Sequence, residues 1–286
     1  MMSFLKTRTF AYLQIALSAA VAGLSVSPAR ADDFALSVSP PRFELATQAT
    51  QTVRAVAEIS NASGAPTELN FATSEWELTP DGGVALSNDL KPNSCRPWVA
   101  IERRQVTLQA GAQLRYRFEV TPPADTPPTE CRFAILISGA EERVSPGADV
   151  SFPINGQIAL IVYVAVGDVK PQLRITQANV VSINGVMTPV LMVENSGTAH
   201  GRLSAFLSGT DATGKRREFA PSTLPIMPGE TRMIALNEDN DSDAIETQNA
   251  GSVAAAPPAP IVYPLSISGT MNDSLNTFSF EGTFEP

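Results

Sequence analysis

Histidine is nearly missing from this chain: His200 is the only one in 286 residues. Nucleophilic catalysis by serine or cysteine needs a base beside the nucleophile. His200 falls instead in the turn-like stretch Asn195-Ser-Gly-Thr-Ala-His-Gly201, where a surface or hydrogen-bonded loop histidine is expected. No G-x-S-x-G elbow and no Gly-rich phosphate loop occurs. Cysteine is almost as scarce, with two residues, Cys95 and Cys131. Zinc sites draw on several His or Cys ligands, so none is expected here. Asp239-Asn-Asp241-Ser-Asp243 begins like a calcium loop, but Ala244 and Ala250 stand where Gly and Glu are required. The expectation is a chain with no catalytic residues, no metal and no cofactor, and not an enzyme.

Long apolar runs are also lacking. The one candidate, from about Ala11 to Leu24, is about 14 residues long, whereas a membrane span needs roughly 20. Lys6 and Arg8 precede it and Ala29-Arg30-Ala31 follows it. That is the order of a secretory signal, residues 1–31, with cleavage after Ala31. Removing Lys6, Arg8 and Arg30 takes the formal charge from −9 to −12. Such a surface suits solubility and argues against nucleic acid or an anionic membrane as partner. Export leads to an oxidising compartment, the periplasm, which favours one Cys95–Cys131 disulfide over two unpaired buried thiols. Closing that loop is worth roughly 4 kcal/mol on the chain-entropy account.

Sustained helical periodicity is absent beyond the signal, and 23 prolines exclude long helices. What is there is alternation and turns. Val53 to Ile59, Leu69 to Phe71, Trp98 to Ile101, Val106 to Leu108, Leu114 to Val120 and Phe133 to Ile137 read as strands. The long stretch 150–166 follows them. About seven strands fit before Gly167-Asp168-Val169-Lys170-Pro171, a stretch of chain punctuators that marks a domain boundary. About seven more fit after it. The predicted fold is all-β: two immunoglobulin-like β-sandwich domains, residues 32–167 and 168–286. Residues 237–260, acidic and then Ala/Pro-rich, read as a solvated loop of the second domain.

An internal echo supports two related halves, with chance similarity between sandwiches as the alternative. Ile59-Ser-Asn61-Ala-Ser-Gly64 resembles Val193-Glu-Asn195-Ser-Gly197. Leu108-Gln-Ala-Gly111 before Arg115 resembles Ile226-Met-Pro-Gly229 before Arg232.

Residues 150–166 exceed an ordinary strand. Val150-Ser-Phe152-Pro-Ile154 alternates, and Pro153 cannot donate to a ladder, which places it at an edge. Asn155-Gly156 breaks the run, and Ile158 onward has the pattern of a strand buried on both faces. Val150, Phe152 and Ile154 thus read as one face of an edge strand. They either fill this domain's own core or are presented to a partner.

Ser39-Pro-Pro-Arg42-Phe-Glu-Leu45, Ile59-Ser-Asn61, Leu108-Gln-Ala-Gly111, Cys131-Arg-Phe-Ala-Ile135 and the 150–166 strand, taken in order, resemble PapD-like periplasmic pilus-assembly chaperones. The resemblance spans the whole chain beyond the signal. It implies β-strand addition to a pilus-type protein subunit by Val150, Phe152 and Ile154. Burying three such side chains is worth on the order of 5–8 kcal/mol before ordering costs. It also implies that Arg42 holds the subunit's C-terminal carboxylate; the alternative for Arg42 is a plain surface cation. The family's partner lysine falls on Ala159, with Gln157 the nearest polar neighbour, and the disulfide lies in the first domain instead of the second. These are departures. The free protein is expected to be a monomer. The competing expectation is a structural or adhesive envelope protein that associates through the same edge.

Overall fold

In the computed structural model, residues 35–139, 142–147, 150–154, 156–239 and 260–286 are described. The signal segment with its cleavage point at Ala31 lies outside them.

Alternating sequence becomes alternating burial. In β3 (Val53–Asn61) Ala55, Ala57, Ile59 and Asn61 are buried while Arg54 and Glu58 are not, because successive side chains point to opposite faces of a strand. β3 pairs with β1 (Leu36–Ser39) and β8 (Gln113–Val120), and β8 pairs with β6 (Val99–Ile101). The facing sheet has the order β2 (Arg42–Thr47), β12 (Gln157–Val166), β9 (Thr129–Gly139), β4 (Thr67–Leu78) and β5 (Val84–Ser87). β7 (Gln105–Leu108) also lies on β4. Ile59, Tyr116 and Phe118 from one sheet meet Phe133, Ile135, Val162 and Val164 from the other in a single core. Phe71 stacks on Tyr116 at 4.0 Å between centroids, which adds to plain area burial. Twelve strands are described in this half, where the sequence indicates about seven. The extra ones are pieces such as β5 and β10, and the stretch 150–166 divides into β11 and β12.

β10 (Glu142–Gly147) and β11 (Val150–Ile154) form a two-stranded ribbon between β9 and β12. Their backbones pair antiparallel, Val144 opposite Phe152 and Arg143 opposite Pro153.

The second half is one folded sheet: β13 (Leu173–Ile183), β14 (Val186–Asn195), β17 (Thr231–Glu238), β16 (Arg216–Pro221), β15 (Ser204–Thr210), β18 (Leu265–Asn272) and β19 (Thr277–Phe284), in that order. β16 and β17 are joined only from Phe219↔Glu238 to Pro221↔Leu236. The two parts thereby close over a core of Leu191, Val193, Ile234, Leu207, Ile267 and Phe284. The protein is a pair of β-sandwiches.

The acidic loop starts later than its composition suggests. Asn237 and Glu238 belong to β17 and pair with Ala220 and Phe219. Buried Arg217 holds Glu238 at 2.8 Å and donates to the Pro260 carbonyl at 2.9 Å. A side-chain carboxylate on one side of residues 240–259 and a backbone carbonyl on the other thus meet on one guanidinium. The same guanidinium reaches Asp211 at 3.3 Å. The Thr213 hydroxyl, partly opposed by burial and joined by backbone donors at Lys215 and Thr213, holds the Asp211 carboxyl down at about 2.

The repeated asparagines do the same work in both halves. Asn61 Nδ2 donates to the carbonyls of Ala65 at 2.8 Å and Leu108 at 3.1 Å. Asn195 Nδ2 donates to Ala199 at 2.8 Å and Ile226 at 2.9 Å. Gly111 N–H donates to the Asn61 carbonyl and Gly229 N–H to the Asn195 carbonyl. Both glycines have positive φ, 68° and 74°, the region that favours glycine.

Candidate partner-binding edge and the cleft beside it

β9 covers one side of β12 along its whole length, from Gln157↔Ser138 to Val166↔Thr129. On the other side β2 pairs in parallel only from Ile161 to Val166. Among the described residues, Gln157 to Leu160 therefore have no strand on that side, and β11 pairs only with β10. The Gly156 carbonyl accepts from Gly139 N–H at 3.0 Å, which carries the β9–β12 ladder one step beyond Gln157. A row of unpaired backbone donors and acceptors of this kind is a template for another chain. Val150, Phe152 and Ile154 sit at alternate positions of β11. That strand stands outside both sheets of the sandwich.

Where β2 begins, the open edge ends. Arg42 is its first residue, opposite Ile161. Its side chain is half exposed and pairs with Glu44 Oε1 at 3.0 Å. Among the described residues its two Nη atoms make no hydrogen bond, so the fork is open to a ligand. Ala159, two positions along β12 from Ile161, shares the face that Arg42 occupies by strand alternation. Ala159 and Ile161 pack with Trp76, Ala134, Leu136 and Tyr163 and with Met227 of the second sandwich. Gln157 turns its amide to Ser138 Oγ at 3.0 Å. The place where the resemblance calls for lysine is thus an apolar shelf.

Beside the shelf lies a polar contact between the sandwiches that the sequence does not announce. Glu44 Oε1 also meets Arg202 Nη1 at 2.7 Å and His200 Nε2 at 3.5 Å. His200 is buried, with Nδ1 2.7 Å from Glu130 Oε2, and its backbone N–H donates to Glu130 Oε1 at 3.0 Å. Arg202 Nη1 is 2.7 Å from His200 Nε2. These partners fit the tautomer with the proton on Nδ1: Nδ1–H donates to Glu130 and Nε2 accepts from Arg202. The imidazole stacks on Tyr163 at 3.8 Å, and the Tyr163 hydroxyl accepts from Arg202 Nη2 at 3.2 Å. Burial, eased by Arg202, raises the Tyr163 phenol. Burial would raise the Glu44 carboxyl too, but Arg202, then His200 and Arg42, outweigh it and hold it below its usual value.

The loop that carries His200 is tied to the linker. The Lys170 carbonyl accepts from Thr198 N–H at 2.8 Å and Ala199 N–H at 3.2 Å. A Cβ on Gly197 would sit 2.3 Å from that carbonyl oxygen. A second bridge runs from Arg232, which pairs with Glu230 and donates to the Thr79 carbonyl at 3.3 Å. Of these residues the sequence singles out only His200, as a histidine in a turn. Nothing there links Glu44 to Arg202, 158 residues away.

Cys95 and Cys131 form a disulfide that pins the turn Arg96–Trp98 to the start of β9. Next to it is a groove of about 710 Å³ lined by Trp76, Trp98, Asp125 and Arg132, among others. Three of its carboxylates are engaged: Glu75 with Ser94 and Arg96, Glu77 with Lys91, Glu130 with His200. Among the described residues no cluster of His, Cys, Asp and Glu could hold a metal. No helix among them is long and apolar enough to cross a membrane.

No model of a known protein family and no curated protein matches the sequence. Among solved structures, the class 5 fimbriae chaperone CfaA is similar at 10% identity and a TM-score of 0.45, over 88% of this chain and 100% of that one. The SafB chaperone in its complex with the SafA pilin of Salmonella enterica is similar at 14% and 0.45, over 87% and 96%. The E. coli chaperone DraB is similar at 14% and 0.43, over 87% and 98%. Likeness at this distance carries no argument on function, and the open edge, the Arg42 fork and the contact beside them stand on the chain's own geometry. Along most of its length the chain is similar to fimbrial chaperones.

Proposed function

We propose that this protein is a periplasmic chaperone-like binder that caps pilus-type subunits by donating the edge of β11 and early β12. The observation that carries this is the edge of β12 from Gln157 to Leu160, which no described strand covers beyond the reach of β2, with β11 outside both sheets before it. An incoming strand finds backbone donors and acceptors for affinity, while Val150, Phe152 and Ile154 offer side chains for its pockets. The Arg42 fork, at the end of that edge, suits the partner's terminal carboxylate. Binding is stoichiometric and involves no turnover.

Ala159 supports a second reading. With alanine on β12 where the resemblance calls for a second binding cation, the same edge serves an envelope protein that pairs with itself or with another structural chain.

Co-purification separates them. The tagged chain, expressed with its signal and its neighbouring gene products, should bring down a small β-rich subunit at one-to-one ratio. Phe152→Asp should release it, and Arg42→Ala should weaken it. Recovery of the protein alone, or only with itself, supports the envelope reading. Release of a subunit by neither variant removes this edge from the explanation.

A further inference from the structure

Glu44 serves two masters with one oxygen. Its Oε1 lies 3.0 Å from Arg42 Nε, 2.7 Å from Arg202 Nη1 and 3.5 Å from His200 Nε2. With Nε2 of His200 accepting from Arg202, the groups that draw on this one oxygen are the two guanidinium groups, which share its charge. Arg42 belongs to the open end of the binding edge. Arg202 and His200 belong to the contact between the sandwiches, and His200 is fixed from behind by Glu130. Strand β12 links the two places directly: Ile161 lies opposite Arg42, and Tyr163, two residues on, carries the stack with His200.

We infer that Glu44 couples occupancy of Arg42 to the inter-sandwich contact: a carboxylate arriving at Arg42 releases Glu44 to Arg202, which also holds His200, and so tightens the clamp. This rests on the proposed role of Arg42 as the receptor for a partner's terminal carboxylate. It adds that the site reports its occupancy to the relative setting of the two sandwiches. The physical reason is charge balance. In the free protein Glu44 divides its charge between two guanidinium groups. Once Arg42 has a second anion, its pull on Glu44 falls and the pull of Arg202 is left. By linkage the effect is reciprocal: whatever strengthens the Glu44–Arg202 contact raises the affinity of Arg42 for a carboxylate. Glu44 is a positioning residue here, not a ligand-contacting one.

The scarcity of histidine supplies the probe. With one imidazole in the chain, its ¹⁵N resonances report this contact without ambiguity. The groups that face it are Glu130 from β9, Glu44 from β2, Tyr163 from β12 and Arg202 from its own loop, with Arg42 one step behind Glu44. The full chain after signal removal would be compared with Arg42→Ala, Glu44→Gln and the double variant, all at one pH. Arg42→Ala imitates occupancy and should displace the imidazole resonances. Glu44→Gln should displace them as well, and adding Arg42→Ala to it should change nothing further. Arg42→Lys, which keeps the charge, should leave them near wild type. Imidazole resonances of Arg42→Ala that superimpose on wild type overturn the coupling. So does a double variant that differs from Glu44→Gln by the full Arg42→Ala displacement.

A second arm uses a synthetic apolar peptide with a free C-terminal carboxylate and its amidated twin. The carboxylate form should move the resonances in the direction of Arg42→Ala, and the amide should not. Wild type should bind the carboxylate form with an affinity differing from Glu44→Gln by about 5-fold or more, the usual lower end of such couplings. Equal affinities, or equal displacement by both peptides, count against it. The ligand-free arm keeps two failures apart. A displaced imidazole in Arg42→Ala with no subunit in the co-purification preserves the coupling and removes the chaperone reading. An undisplaced imidazole with a co-purified subunit does the reverse.

Discussion

Asn195 shows how much one buried amide can organise. It satisfies the Ala199 and Ile226 carbonyls and accepts from Gly197 N–H at 2.9 Å. Truncation leaves these groups without partners, at about 1–3 kcal/mol for a buried polar group. Asn195→Ala is therefore expected to lower stability by about 2 kcal/mol or more, read as a lower urea midpoint with an unchanged slope. Asn61→Ala should behave alike, and a midpoint within error of wild type for either would refute the assignment. Gly197→Ala is expected to be at least as damaging, because its Cβ would meet the Lys170 carbonyl at 2.3 Å and the Gln172 nitrogen at 2.5 Å. The asparagine pair was legible in the sequence because each sits in a short local motif, and the paired turns 108–111 and 226–229 repeat too. The Glu44–Arg202 contact was not legible, since no local pattern encodes which loop of one sandwich meets which strand of another.

At the scale of elements, β strands and the two sandwiches follow from alternation, prolines and turn residues. The open edge was legible in part. Pro153 and the excess length of 150–166 point to an edge, and β11 does lie outside both sheets. What sequence cannot show is where β2 stops covering β12, because that depends on the parallel register Arg42↔Ile161. Phe152→Asp is expected to abolish strand donation while leaving the unfolding midpoint nearly unchanged, since β10 and β11 form a ribbon apart from the core sheets. A large drop in midpoint would mean that Phe152 fills the domain's own core. The disulfide belongs to the opposite category. Removing it by a Cys95→Ser, Cys131→Ser pair should cost about 2–4 kcal/mol in denaturation, because Cys95 is buried in the first core and its bridge spans 36 positions of sequence.

For the whole molecule, the charged contacts set its response to acid. Glu44 is held below its usual carboxyl value of 4.5. A depressed carboxyl contributes stability above its unfolded value and loses it as pH falls through the folded one. The clamp is therefore intact at neutral pH and weakens below about pH 4.5. Small-angle scattering on acidification should show the two sandwiches loosening before either unfolds, and Glu44→Gln should remove that early step. A scattering profile constant down to the onset of unfolding would contradict it. Asp211, at about 2 against a usual 3.8, acts within the second sandwich by the same sign. Its contribution is full above pH 3.8 and is lost toward pH 2. Asp211→Asn should flatten thermal stability across that window.

Arg217 has a further consequence. It grips Glu238 on one side and the Pro260 carbonyl on the other, so the two margins of residues 240–259 are fastened together before the intervening chain contributes anything. With the neck closed, the cost of chain length beyond it grows only with its logarithm, about 0.6 kcal/mol per doubling. Foreign sequence spliced between Asp239 and Pro260 is therefore expected to leave the unfolding midpoint of the second sandwich nearly unchanged, and a large drop would show that the neck is not closed by Arg217.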